Sequence, residues 1–128
     1  MFSPKHISGV VRPWEQFPAA GGTYTVGQML NAADGKLSPI SAASTTTPGY
    51  LCMANVTLAE GELLPVARVA KDEIYITQLS VETAGAVVGG KLQVSAGGLQ
   101  VDGAAAGSFE VVLAEGTDAG SEVHGRFI

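Results

Sequence analysis

Turn residues interrupt this chain too often for any long regular element to form. In VVGGKLQVSAGGLQVDG (87–103), glycine pairs fence two short alternations of apolar and polar residues. Leu92 and Val94 alternate with Lys91, Gln93 and Ser95, and Leu99 and Val101 alternate with Gln100 and Asp102. That period of two is the mark of half-buried strands. With Ser95 to Gly98 as the turn and both glycines free to take positive φ, Val94 is expected opposite Leu99 and Leu92 opposite Val101. The other face would then pair Gln93 with Gln100 and Lys91 with Asp102, turned to water or to a partner.

The same pattern recurs from Thr23 onward. Strand candidates fall at 23–30, 36–40, 49–54, 63–69, 73–79, 109–114 and 122–128, which with the two hairpin strands makes nine. Asp34-Gly35 is a strong hairpin signal, Pro48-Gly49 an entrance to a strand, and Lys71-Asp72 a tight turn. Helix has little room. Residues 80–88 hold a turn or two of helix or a loop, since Gly85 and the valines oppose helix, and the polar run 41–47 reads as a flexible loop. The expectation is an all-β fold, a small sandwich or barrel of short antiparallel strands.

Residues 1–22 differ from the rest. They carry Pro4, Pro13 and Pro18, three of the six prolines, among the large apolar residues Phe2, Ile7, Trp14 and Phe17. Proline removes backbone donors and opposes a long helix or a central strand, so this segment reads as an extended N-terminal arm preceding a single β domain, 23–128. Its aromatics either fold back as a lid on the domain's own core or dock on a neighbouring molecule.

At 128 residues, one domain can bury about two-thirds of its unfolded surface. Only 15% of residues are charged while 46% are hydrophobic. Such a surface has little polar coating, which points to coverage by other subunits. A net charge of −5 with seven Lys and Arg argues against nucleic acid as a partner. No segment has the length of a membrane span or the layout of a secretion signal, so the expected place of synthesis is a cytoplasm and no membrane partner is expected. Cys52, the single cysteine, sits in an apolar run and reads as a core residue.

Chemistry is hard to find. Asp118, Ser121, Glu122 and His124 cluster within seven residues, but no G-x-S-x-G elbow frames the serine and a third metal ligand is not assigned, so a surface turn into the last strand is the reading. No phosphate-binding glycine loop has the required spacing. A lipoyl or biotinyl carrier would place a lysine between methionines at a hairpin tip, whereas Lys71 lies in AKDE (70–73). No catalytic residue, metal or cofactor is expected.

The order of motifs over residues 20–70 carries a resemblance. A proline-bearing apolar arm is followed by GQML (27–30), DGKLSP (34–39), TPGYL (47–51) and VARV (66–69). This resembles the capsid decoration proteins of tailed bacteriophages, also called head-stabilising or cement proteins. The resemblance implies a homotrimer made in the host cytoplasm and seated outside the expanded capsid, with the arm reaching over the major capsid protein. Phe2, Ile7, Trp14 and Phe17 would be the capsid-binding residues, and deletion of residues 1–20 would abolish attachment and spare the fold. Gln93 and Gln100 could face a trimer interface or water. Two other classes fit the same composition: another phage structural module of tail tube, fibre or adaptor type, and a carbohydrate-binding β-sandwich.

Overall fold

The computed structural model describes residues 1–5, 14–71 and 73–128. Among them there are thirteen strands and no helix. In chain order they are β1 (Ser3–Lys5), β2 (Glu15–Pro18), β3 (Gly22–Tyr24), β4 (Met29–Ala33), β5 (Lys36–Pro39), β6 (Tyr50–Cys52) and β7 (Val56–Leu58). There follow β8 (Leu63–Arg68), β9 (Ile74–Gln78), β10 (Lys91–Val94), β11 (Val101–Asp102), β12 (Phe109–Ala114) and β13 (Glu122–Phe127). The Asp34-Gly35 hairpin forms between β4 and β5, with positive φ at both turn residues as a two-residue turn demands. Residues 80–88 are a loop, and Asp72 of the expected 71–72 turn lies outside the described residues.

The strands sort into three antiparallel sheets. One has six strands in the order β1, β9, β13, β12, β10, β11, and the second has five in the order β2, β8, β6, β4, β5. A two-stranded ribbon, β3 with β7, makes the third. Both large sheets curl back on themselves. A bridge from Leu79, just past β9, to Val101 of β11 closes the first through β13, β12 and β10, and a bridge from Ala19 to Leu37 does the same for the second. The expected choice between sandwich and barrel thus resolves into two curled sheets packed together.

Alternation along the strands divides the apolar residues between two cores. Met29 and Leu51 face the six-stranded sheet and join Tyr75, Phe109, Val123 and Phe127. Their neighbours Leu30 and Cys52 face the other way and join Leu37, Leu64, Val66 and Tyr24. The five-stranded sheet is therefore buried on both faces, which accounts for the unbroken apolar run at residues 50–54. The ribbon lines the second core with Tyr24 and with half-buried Val56 and Leu58.

Two expectations need correction. The β10–β11 hairpin is shifted by two residues, pairing Val94 with Val101 and Gln93 with Asp102. A shift of two keeps every side chain on its expected face, and the longer turn allows Gly98 to reach the other sheet, where its carbonyl accepts from Met29 N–H at 2.7 Å. The face with Gln93 and Asp102 is covered at those two residues, although Lys91 on it is exposed. Both residues are buried, and Gln93 Nε2 donates to Asp102 Oδ1 at 2.7 Å. A loop lies over them, since a Cβ on Gly107 would stand 2.6 Å from Gln93 Cα.

The second correction concerns residues 1–22. Their described parts are extended, as expected, but they belong to the sheets. β1 pairs with β9 and β2 with β8, so the boundary at 22/23 separates nothing, and deletion of residues 1–20 removes a strand from each large sheet. Pro4 and Pro18 are compatible with this because both strands stand at a sheet edge in the strand order, where one set of backbone donors is not required.

Candidate functional site

The four arm residues have separate fates. Phe2 is 1% exposed and fills the first core, with its ring centroid 5.9 Å from that of Phe109 and 6.1 Å from that of Phe127. Its expected role as a capsid contact is corrected on that ground, because a side chain spent on its own core has no surface left to offer. Ile7 lies outside the described residues. Phe17 is half-buried against the second core, 5.4 Å from Tyr50 by ring centroids. Trp14 is 60% exposed.

Phe17 belongs to a small surface cluster with a defined electrostatic order. Its face of β2 is shared by Glu15, and the guanidinium of Arg68 lies 5.7 Å from the ring centroids of both Phe17 and Tyr50. Arg68 Nε donates to both carboxylate oxygens of Glu15, at 3.0 and 3.1 Å. Glu15 is the first cause that holds the Arg68 guanidinium protonated even more firmly than usual. The pair is solvent-exposed, so its net contribution to stability is small, but it fixes the direction of the arginine over the two rings.

Trp14 is the only tryptophan in the chain, and it precedes β2 directly. Every large aromatic in the first core, by contrast, is sequestered: Phe2, Tyr75, Phe109 and Phe127 are all buried. An indole left in water at the edge of a sheet is an unspent apolar surface of the kind that interfaces use. A second group of exposed apolar residues was not singled out from the sequence. Val81, Val87, Val88 and Leu113 are each about half exposed or more, Val88 the most at 74%. The loop that carries the valines runs beside β12, with Gly89 N–H donating to the Val111 carbonyl at 2.8 Å and Thr83 N–H to the Thr117 carbonyl at 2.8 Å. Only their position in a loop distinguishes these valines from core valines, and local pattern does not register that.

The segment 116–125 forms the expected turn into β13. Ser121 N–H donates to the Asp118 carbonyl at 3.0 Å, and Glu122 and His124 follow on one face of the strand. His124 Nε2 lies 3.1 Å from Glu122 Oε2, and His124, within the strand that the turn leads into, is buried. No group of three metal-ligating side chains exists among the described residues. No helix among them is long and apolar enough to cross a membrane.

Cys52 is buried in the second core, as its apolar surroundings suggest. Its thiol donates to the Ala54 carbonyl at 3.2 Å, and burial pushes its pKa up. A raised thiol pKa stabilises the fold below the ordinary thiol range, and that contribution is lost as pH rises through the raised value. Since the thiolate is the reactive form, the native protein is expected to resist iodoacetamide at neutral pH and to react fully once unfolded in urea. Rapid native labelling, followed by mass spectrometry, would show that this core opens locally.

No known family model matches this chain, and no curated protein is significantly similar to it in sequence.

Proposed function

We infer that the chain is a virion structural protein that binds the outside of an expanded phage capsid as a homotrimer and stabilises it. The motif order over residues 20–70 supports this reading, together with an all-β body that leaves apolar side chains in water. The exposed indole of Trp14 carries it. In a chain that buries Phe2, Tyr24, Tyr75, Phe109 and Phe127 and half-buries Phe17 and Tyr50, the exposed tryptophan is accounted for by a partner that covers it. The acidic net charge suits the exterior of a shell better than its interior, where packaged DNA would repel it.

Stabilisation then needs no reaction. A ligand that binds the expanded shell and not its precursor favours the expanded form by mass action, in proportion to the difference in affinity. Within the arm, Trp14 is the anchor, with half-buried Phe17 beside the Arg68–Glu15 pair as its support; Phe2 acts only through the fold that holds β1 and β2 in place.

Sedimentation with shells tests the reading. The protein is expected to run as a trimer and to co-sediment with expanded capsids of its own phage while ignoring unexpanded ones, and Trp14→Ala to weaken binding by at least about tenfold. Equal binding to both shell forms, or none to either, contradicts it. A hexameric ring in solution would instead favour a tail component.

A further inference from the structure

The first five residues are held by contacts that owe nothing to their neighbours in sequence. β1 stands at the edge of the six-stranded sheet and pairs only with β9, setting Ser3 opposite Ile76, Pro4 opposite Tyr75 and Lys5 opposite Ile74. Phe2 N–H donates to the Gly27 carbonyl at 2.8 Å, and the Met1 amine donates to Gln78 Oε1 at 3.0 Å, 77 residues away in sequence. Gly27 makes this seat possible, since a Cβ there would stand 2.7 Å from Met1 Cβ. The Phe2 ring closes the arrangement by filling a slot walled on one side by Phe109 and Phe127, which touch each other edge to face at 5.2 Å.

Strand β1 is short, and Pro4 brings no N–H to the ladder. A terminal segment joined to a single strand can detach without unfolding the rest, at a free energy below that of global unfolding. Lifting it would expose the edge of β9 and, beside it, an aromatic slot: the two components of a site that binds an extended peptide by strand addition, with backbone pairing for affinity and a side-chain pocket for selectivity.

We propose that β1 is an exchangeable strand, and that the β9 edge with its aromatic slot binds Met1–Lys5 of a second copy of this chain. The seat already fits this segment and no other has to be invented. Contacts made in exchange are the same as those made within one chain, so closed and exchanged forms differ little in energy and concentration decides between them. A dilute protein keeps its own strand, and a crowded one links copies. The proposal is independent of what surface the protein binds, and its failure would leave the capsid reading untouched.

Ser3 and Ile76 face each other on the outer side of the sheet, so the test uses full-length chains carrying Ser3→Cys, Ile76→Cys or both, oxidised gently with oxidised glutathione. The double variant is expected to close a disulfide within one chain at low concentration. An equimolar mixture of the two single variants is expected to form a linked dimer joined between positions 3 and 76, identified by peptide mass, in a yield that rises with concentration. Adding Phe2→Ala to the Ser3→Cys chain should lower that yield by about tenfold or more, because the slot is no longer filled. Closure in the double variant with no 3-to-76 dimer in the concentrated mixture overturns exchange. Absence of closure even in the double variant overturns the seating of β1 on β9, and the site with it.

Discussion

Phe2→Ala is expected to lower the unfolding free energy by about 3–5 kcal/mol in urea titrations, the range for truncating a fully buried phenylalanine. The loss has two sources. The side chain gives up its burial among Phe109, Phe127 and the rest of the first core, and the surrounding residues are held by paired strands on each side, so the cavity closes only in part. Trp14→Ala is the matching control in the same proline-bearing segment. Its side chain is mostly in water, and the expected change is within about 0.5 kcal/mol. If the two variants unfold at the same urea concentration, Phe2 is not a core residue and β1 is not part of the sheet.

Gly98→Ala is expected to cost about 2–4 kcal/mol, combining a left-handed backbone penalty with overpacking. Gly98 has φ of +75°, and a Cβ there would run into the Met29 carbonyl oxygen across the gap between the sheets. That oxygen belongs to the backbone of β4 and cannot swing aside as a flexible side chain would. Gly35 supplies the control, because it has the same φ of +75° and nothing within 4 Å of its added Cβ. Gly35→Ala therefore carries the left-handed penalty alone, about 1–2 kcal/mol. The difference between the two variants measures the cost of forcing the sheets apart, and equal effects would show that Gly98 is needed only for its turn.

The legible parts of this fold are those specified by neighbours in sequence. β12 and β13 are long enough to show their period, and Asp34-Gly35 declares its hairpin through turn chemistry alone. Harder cases depended on distant partners. β1 and β2 carry prolines that speak against a central strand, and only the sheet order shows that they are edges, where proline is tolerated. The expected strand at 23–30 is split because Gln28 N–H turns back to the Thr25 carbonyl at 3.1 Å, ending β3 before β4 begins. The hairpin at 91–102 kept its faces and lost its register, since period two constrains the first and the contact of Gly98 with Met29 decides the second.

The candidate site was legible in kind and not in detail. Phe2 and Trp14 are both large aromatics in a proline-bearing stretch, and nothing within that stretch tells which one is buried. What separates them is pairing across more than seventy residues, which seats Phe2 beside Phe127 and leaves Trp14 at the start of β2. Val87 and Val88 were hidden for the converse reason. Adjacent valines before a glycine pair look like the end of a core strand, and only the loop that carries them exposes both.

The most direct measurement follows Trp14 onto the shell. Because the chain has a single tryptophan, 5-hydroxytryptophan can be incorporated at position 14 and excited at wavelengths that the capsid's own tryptophans do not absorb. On addition of expanded shells its emission is expected to shift to the blue and its quenching by acrylamide to fall to a small fraction of the free value, with no change on addition of unexpanded shells. Binding that leaves the indole as quenchable as before would contradict the assignment of Trp14 as the anchor, and with it the central observation behind the capsid reading.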